Sequence, residues 1–143
     1  TAAGVFTRLI DMDIEPFLIA SVLLATFAQR LVRTICPYCK EKYQPPKVAL
    51  AAVGLDNVDN GSFMRGRGCN QCMNTGYKGR TGIFEVLVND EMVQRLILEK
   101  RSAQEIAREA KNAGKLRTLQ EDAAAKVLRG ITTLEEAAGA VMM

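Results

Sequence analysis

Apolar positions recur at two different spacings along this chain, and each change of spacing marks a new element. Over Thr1–Met12, Val5, Phe6, Leu9 and Ile10 fall one, three and four apart, which predicts a helix with no capping sequence in front of it. Such an opening reads as the continuation of a longer chain. Asp13-Ile14-Glu15-Pro16 then resets the path, with proline suited to a first helical turn and Glu15 to its dipole. The nearly continuous apolar run Phe17–Ala28, broken at Ser21 and Thr26, extends that helix from Pro16 to Arg30, buried on most sides. It is too short for a bilayer, which needs about 20 residues. Leu31–Ile35 is β-rich and leads directly into Cys36-Pro37-Tyr38-Cys39.

Punctuation dominates the middle of the chain. Pro45-Pro46 ends an extended piece, Lys47–Val53 reads as a short helix stopped by Gly54, and Asp56–Gly61 is a polar loop. Ser62–Arg67 reads as a short strand delivering Cys69. Gly76, Gly79 and Gly82 break up a turn-rich stretch, and Thr81–Val88 is a strand. From Asn89 onward the spacing is helical again, with Met92, Val93, Leu96 and Ile97 in one stripe that reads as core. Three capping boxes follow, beginning at Ser102, Thr118 and Thr132, and Gly114 and Gly130 stand where C-terminal caps belong. Four short helices should therefore close the chain as a compact cluster. The fold class is mixed α/β.

Composition changes this picture little. The chain has 143 residues, 48% apolar and 24% charged, with a net charge of +3. That is ordinary for one soluble domain or two small ones, and too mild to imply nucleic acid by itself. With no export signal and thiols that look reduced, a cytosolic location is the default.

The cysteines change it greatly. All four fall in two Cys-x-x-Cys pairs, Cys36–Cys39 and Cys69–Cys72, and there is no histidine. Two short-spaced thiol pairs can fill the corners of a tetrahedral soft-ligand site, the pattern of closed structural zinc. Four thiolates leave no position for water, so the Zn2+ would be architectural. Two other readings stand beside it. Redox dithiols lack a thioredoxin-like βαβ setting here, and a disulfide scaffold suits smaller exported chains. If the zinc is structural, replacing Cys36 or Cys72 by serine should unfold the segment between Ile35 and Gly82 while sparing the closing helices.

Catalytic groups are harder to find. Without histidine there is no Ser-His or Cys-His pair. The one Gly-Lys pair, Gly114-Lys115, has Glu109 where a phosphate-binding loop needs glycine and Leu116 where it needs a hydroxyl. Between Asp59 and Glu85 the charges are all basic: Arg65, Arg67, Lys78 and Arg80 flank the second thiol pair. They form a candidate docking patch for an acidic partner, anionic lipid or nucleic acid, or else loop charges that offset a thiolate-rich site. Phe63, Tyr77 and Phe84 are the nearby aromatics, and Phe63 and Phe84 fit core positions better than stacking platforms.

These residues together resemble a known family. Phe6–Phe17, the run Ala28-Gln-Arg-Leu-Val-Arg33, the two cysteine pairs, Gly76–Val86 and Gly130–Glu136 are similar to the C-terminal part of the hexameric traffic ATPases of type II secretion (the general secretory pathway protein E family) and of type IV pilus assembly. The resemblance covers essentially the whole chain. It implies that residues 1–35 end a RecA-like ATPase core, that 36–88 form a tetracysteine zinc subdomain with its return strand, and that 89–143 form a C-terminal helical subdomain. It implies Cys36, Cys39, Cys69 and Cys72 as zinc ligands, ATP and Mg2+ bound only by the full-length parent, a homohexameric parent, and inner-membrane platform proteins as partners. The family's phosphate-binding loop and catalytic arginines would lie upstream of Thr1, so the chain alone should be inactive. The Gly-Arg-Thr-Gly-Ile-Phe-Glu wording leans slightly to secretion.

Overall fold

A computed structural model describes residues 1–56 and 63–142. The polar loop expected at Asp56–Gly61 lies outside the described residues apart from Asp56, as does Ser62. The described chain falls into two compact units, one formed by residues 1–28 and 84–118, the other by 29–83 and 119–143. Two long strands, β1 (Ala25–Ile35) and β4 (Tyr77–Val88), pair in a two-stranded sheet and run from one unit into the other. Asn89 N–H bonds Leu24 O at 2.9 Å and Cys36 N–H bonds Gly76 O at 2.9 Å, so the start of each strand meets the end of its partner: the pairing is antiparallel.

The first unit holds α1 (Gly4–Asp11), α2 (Pro16–Val22), α4 (Glu91–Leu98) and α5 (Ala103–Asn112). Helix α1 follows the predicted apolar spacing and ends with Asp13 in the left-handed region (φ 64°), where Asp13 and Ile14 N–H return to Ile10 and Leu9 carbonyls. Helix α2 is shorter than the spacing predicted. It stops at Val22, and the chain is strand from Ala25 instead of helix to Arg30. The cause lies far along the sequence. The Asn89 side-chain amide donates to the Ala20 and Leu23 carbonyls at 3.1 and 2.7 Å, closing the end of α2, while its backbone pulls Leu24 into the sheet. The alternation Thr26 in, Phe27 out then replaces helical spacing.

Phe6, Leu87, Val93, Leu96, Ile97 and Ile106 fill the core of this unit. Phe6 is completely buried, so Phe6→Ala should destabilise the first unit by about 3–5 kcal/mol through lost transfer energy plus the cavity left behind. Urea unfolding read by far-UV circular dichroism measures this; a loss below about 1 kcal/mol would mean the ring is not core. The predicted Met92–Ile97 stripe is confirmed at Val93, Leu96 and Ile97, with Met92 packed at its margin. Asp90 caps α4 through Val93 N–H at 3.0 Å. Its carboxyl sits below the usual range because Lys115 pairs with it.

The second unit holds α3 (Lys47–Ala52), α6 (Leu119–Leu128), α7 (Leu134–Val141) and a hairpin-like pair, β2 (Lys40–Tyr43) against β3 (Phe63–Gly66). These strands run antiparallel in the register Lys40↔Gly66 to Tyr43↔Phe63. The four closing helices are thus shared, two to each unit. Ser102 caps α5 as predicted, accepting Glu105 N–H at 3.1 Å. The third cap is displaced by one residue. Thr133, not Thr132, accepts Glu136 N–H at 3.1 Å, and Thr132 turns away to donate to Arg33 O at 2.7 Å. Gly114 and Gly130 take the left-handed conformation after α5 and α6, each inside the paired backbone bonds of a Schellman ending.

Candidate metal centre

Backbone geometry places each thiol before any metal is considered. β1 ends at Ile35 and hands the chain to Cys36; the turn Pro37–Tyr38 brings Cys39 to the start of β2. On the other side β3 ends at Gly66, and a single 3₁₀ turn, Asn70–Cys72, carries the second pair. Met73 and Asn74 follow in the left-handed region, which folds the chain back so that Asn74 N–H reaches Cys69 O at 2.8 Å. The second knuckle closes at its base because two glycines, one on each side of Cys69 and Cys72, let backbone touch backbone. A Cβ on Gly66 would stand 2.0 Å from Gly76 O, and one on Gly76 would stand 2.5 Å from Gly66 O. Gly79 and Gly82, expected in a turn-rich stretch, lie inside β4, which begins at Tyr77 rather than Thr81.

All four Sγ atoms lie within 4.8 Å of one another. Cys36–Cys69, Cys39–Cys72 and Cys69–Cys72 are separated by 3.8, 3.9 and 3.7 Å. A tetrahedron with metal–sulfur bonds of about 2.3 Å has edges of about 3.8 Å, so the donor set fits a tetrathiolate zinc site. The cysteines are free, and bonded sulfurs would stand about 2.0 Å apart, which removes the disulfide scaffold. Cys36, Cys39 and Cys72 are buried, a poor setting for a thiol that must attack a substrate disulfide.

Around the sulfurs stands a ring of backbone donors. Gly68 N–H points at Cys39 Sγ (3.2 Å), Cys69 N–H at Cys72 Sγ (3.3 Å) and Gly76 N–H at Cys72 Sγ (3.2 Å). Burial opposes a thiolate at Cys72, but the N–H groups of Gly76 and Cys69 outweigh it and bring the thiol down to about 6. At Cys39 burial prevails over the single N–H of Gly68, and the neighbouring thiols push it further, to about 11. The donors spread negative charge from the sulfurs into the backbone, the role of an outer shell that orients ligands and tunes a metal. Nothing in the spacing of the cysteines pointed to them. The signal was the glycine at position 68 before the second pair and the glycine at 76 after it.

The basic residues are less uniform than the sequence implied. Arg65, Arg67, Lys78 and Arg80 are all exposed in the second unit. Arg65, however, pairs with Glu41 at 3.2 Å across the β2–β3 register and lies 5.3 Å over the Tyr43 ring. Lys78 Nζ donates to Gln71 O at 3.4 Å. Arg67 and Arg80 have no side-chain partner among the described residues. Of the aromatics, Phe63 is buried as expected, but Phe84 is 44% exposed rather than core. Tyr77 is occupied: Arg33 stacks 4.0 Å over its ring, and its hydroxyl meets Thr133 Oγ1 at 2.7 Å. Of these three rings only Phe84 is largely exposed, too few to make a stacking row. Among the described residues no helix is long and apolar enough to cross a membrane.

Comparison with known proteins places the chain in a family. The family model described as "Type II/IV secretion system protein" matches residues 1–139. "Type II secretion system protein E" of Pseudomonas aeruginosa is 45% identical over 136 residues, covering 95% of this chain and 27% of that protein. "Type II secretion system ATPase E" of Vibrio cholerae has the same identity and coverage. "Type IV pilus assembly ATPase PilB" of Thermus thermophilus is 42% identical over 137 residues, 94% of this chain and 15% of the relative. The chain therefore spans about a quarter or less of the length of these relatives. A match over residues 1–139, from α1 past both cysteine pairs and into α7, makes the chain a member of the type II/IV secretion system protein family.

Proposed function

We propose that the chain is the C-terminal part of a hexameric traffic ATPase that powers type II protein secretion through pseudopilus assembly, and that this part supplies zinc-stabilised structure and docking rather than catalysis. The observation carrying the reading is the tetrahedral spacing of four free thiols in a chain that matches this family along its length. Cys36, Cys39, Cys69 and Cys72 would hold Zn2+, which adds cross-linking between two knuckles and no reactive position. Residues 1–35 would close the ATPase core, 36–88 form the zinc subdomain, and 89–143 the C-terminal helices. ATP and Mg2+ would bind elsewhere in the parent.

The parent would work as a homohexamer in the cytoplasm, at the inner membrane, against platform proteins. Arg67, Lys78 and Arg80, with Arg65 partly neutralised by Glu41, would form the docking patch, with anionic lipid as a further contact. A pilus assembly motor is the second reading, favoured by the 42% identity to the pilus ATPase. Nucleic acid is a poor fit for the patch, since Phe63 is buried and Tyr77 is occupied, which leaves Phe84 as the one largely exposed ring of the three.

ATP turnover by the full-length parent, with this chain as control, tests the proposal. Turnover by the parent and none by the chain is the expected result. A folded, hexamer-competent parent that does not hydrolyse ATP would overturn the motor reading. Salt-dependent binding of the chain to nucleic acid would then become the leading question.

A further inference from the structure

Each of three strands leaving the cysteine cluster carries one side chain to the same place, the first turn of α7. On β1, three residues before Cys36, Arg33 grips Glu136: Nε and Nη2 reach Oε1 at 2.8 and 2.7 Å, and the Arg33 backbone N–H reaches Oε2 at 2.8 Å. On β2, four residues after Cys39, the Tyr43 hydroxyl donates to the Glu135 carboxylate at 2.9 Å. On β4, five residues after Cys72, the Tyr77 hydroxyl meets Thr133 Oγ1, the group that also caps α7. Backbone joins in at the same point, through Ile35 N–H to Ile131 O at 2.9 Å and Thr132 Oγ1 to Arg33 O at 2.7 Å.

The anchors are tuned to hold. Burial opposes charge on Glu136, but the hydrogen bonds from Arg33 outweigh it and keep its carboxyl below the usual range. The same bond raises Arg33. Burial, then Glu135, pushes the Tyr43 phenol up, so it stays a protonated donor. Thr133 caps α7 as well, but the ties from Arg33, Tyr43 and Tyr77 lie outside the helix's own hydrogen bonds. Their common feature is that each ties the helix to a strand whose position is fixed by a cysteine.

We propose that the first turn of α7 is the anchor through which metal at the four cysteines controls the α6–α7 pair. Binding orders the knuckles, the knuckles fix β1, β2 and β4, and those strands hold Thr133, Glu135 and Glu136. Removing the metal frees the strands and with them the helix pair. By linkage the coupling is reciprocal: weakening the anchors must weaken metal binding by the factor by which metal strengthens the anchors. The inference rests on the reading of the cysteines as a zinc site, and its test separates the two.

The experiment is hydrogen exchange by mass spectrometry on the chain, zinc-loaded and chelator-stripped, with zinc content measured first. About one zinc per chain and a tenfold or greater loss of protection across α7 on stripping, with α4 unchanged, is the expected result. Tyr43→Phe with Tyr77→Phe removes two hydroxyls and keeps both rings, and should lower zinc affinity three- to tenfold in competition with a chromophoric chelator. No bound zinc would overturn the metal reading and this one together. Bound zinc with α7 protection unchanged on stripping, equal loss at α4, or wild-type zinc affinity in the double variant would overturn only the coupling.

Discussion

Cys72→Ser is expected to strip the zinc and unfold the second unit, α6 and α7 included. Structural zinc contributes about 10–16 kcal/mol of apparent binding energy in small metal-folded domains, comparable with or larger than the 5–15 kcal/mol that holds a typical domain. Cys72 is the most heavily supported of the four thiols, with two backbone donors on its sulfur and Sγ neighbours at 3.7 and 3.9 Å. Serine offers a harder, shorter donor that neither reaches the metal position nor ionises near neutral pH. The variant should hold less than a tenth of the zinc and lose exchange protection at Phe63–Gly66 and across α7, while α4 keeps its own. Elemental analysis with exchange mass spectrometry reads both. A variant that keeps one zinc per chain would show that the metal is not held by this cluster.

This outcome differs from the one the sequence implies, and the difference shows what a sequence carries. Reading caps and spacing, the closing helices form one group and should survive loss of a cysteine. Helix identity was legible there because each cap is a local signal: Ser102 with Glu105, and the glycines at 114 and 130. Which unit a helix joins is not local. Glu135 and Glu136 read as ordinary first-turn acids, and only folding reveals Tyr43 and Arg33 opposite them. The choice of Thr133 over Thr132 has the same cause, since the Arg33 carbonyl claims the earlier hydroxyl.

That the cysteine pairs would come together was legible, because a soft-metal site calls for both this residue type and this spacing, and the four thiols do lie within 4.8 Å of one another. The strand from Ala25 was not, because a continuous apolar run carries neither period, and the residue that stops α2 is Asn89. The basic patch was legible as composition but not as surface. Glu41, the partner that neutralises Arg65, comes from the other strand of the β2–β3 register.

Gly66→Ala is the second large effect. The new methyl would stand 2.0 Å from Gly76 O and 2.5 Å from its Cα, backbone atoms that no rotamer can move aside. Gly76 in turn donates its N–H to Cys72 Sγ and accepts Cys36 N–H through its carbonyl, so pushing it away disturbs one ligand from each pair. The expected loss is about 4 kcal/mol or more, in the range reserved for a built-in steric conflict, with zinc affinity reduced about 10- to 100-fold. Gly114→Ala is the control. Its φ of 72° disfavours a side chain, a strain that Gly66 does not carry, but nothing lies within 4 Å of the added carbon. It should cost only the left-handed penalty of about 1–2 kcal/mol and leave zinc binding untouched. Denaturant unfolding of the zinc-loaded proteins gives both numbers. If Gly66→Ala proves no worse than Gly114→Ala, the base of the second knuckle is not closed by direct backbone contact between Gly66 and Gly76. The four sulfurs would then need some other cause for their tetrahedral spacing.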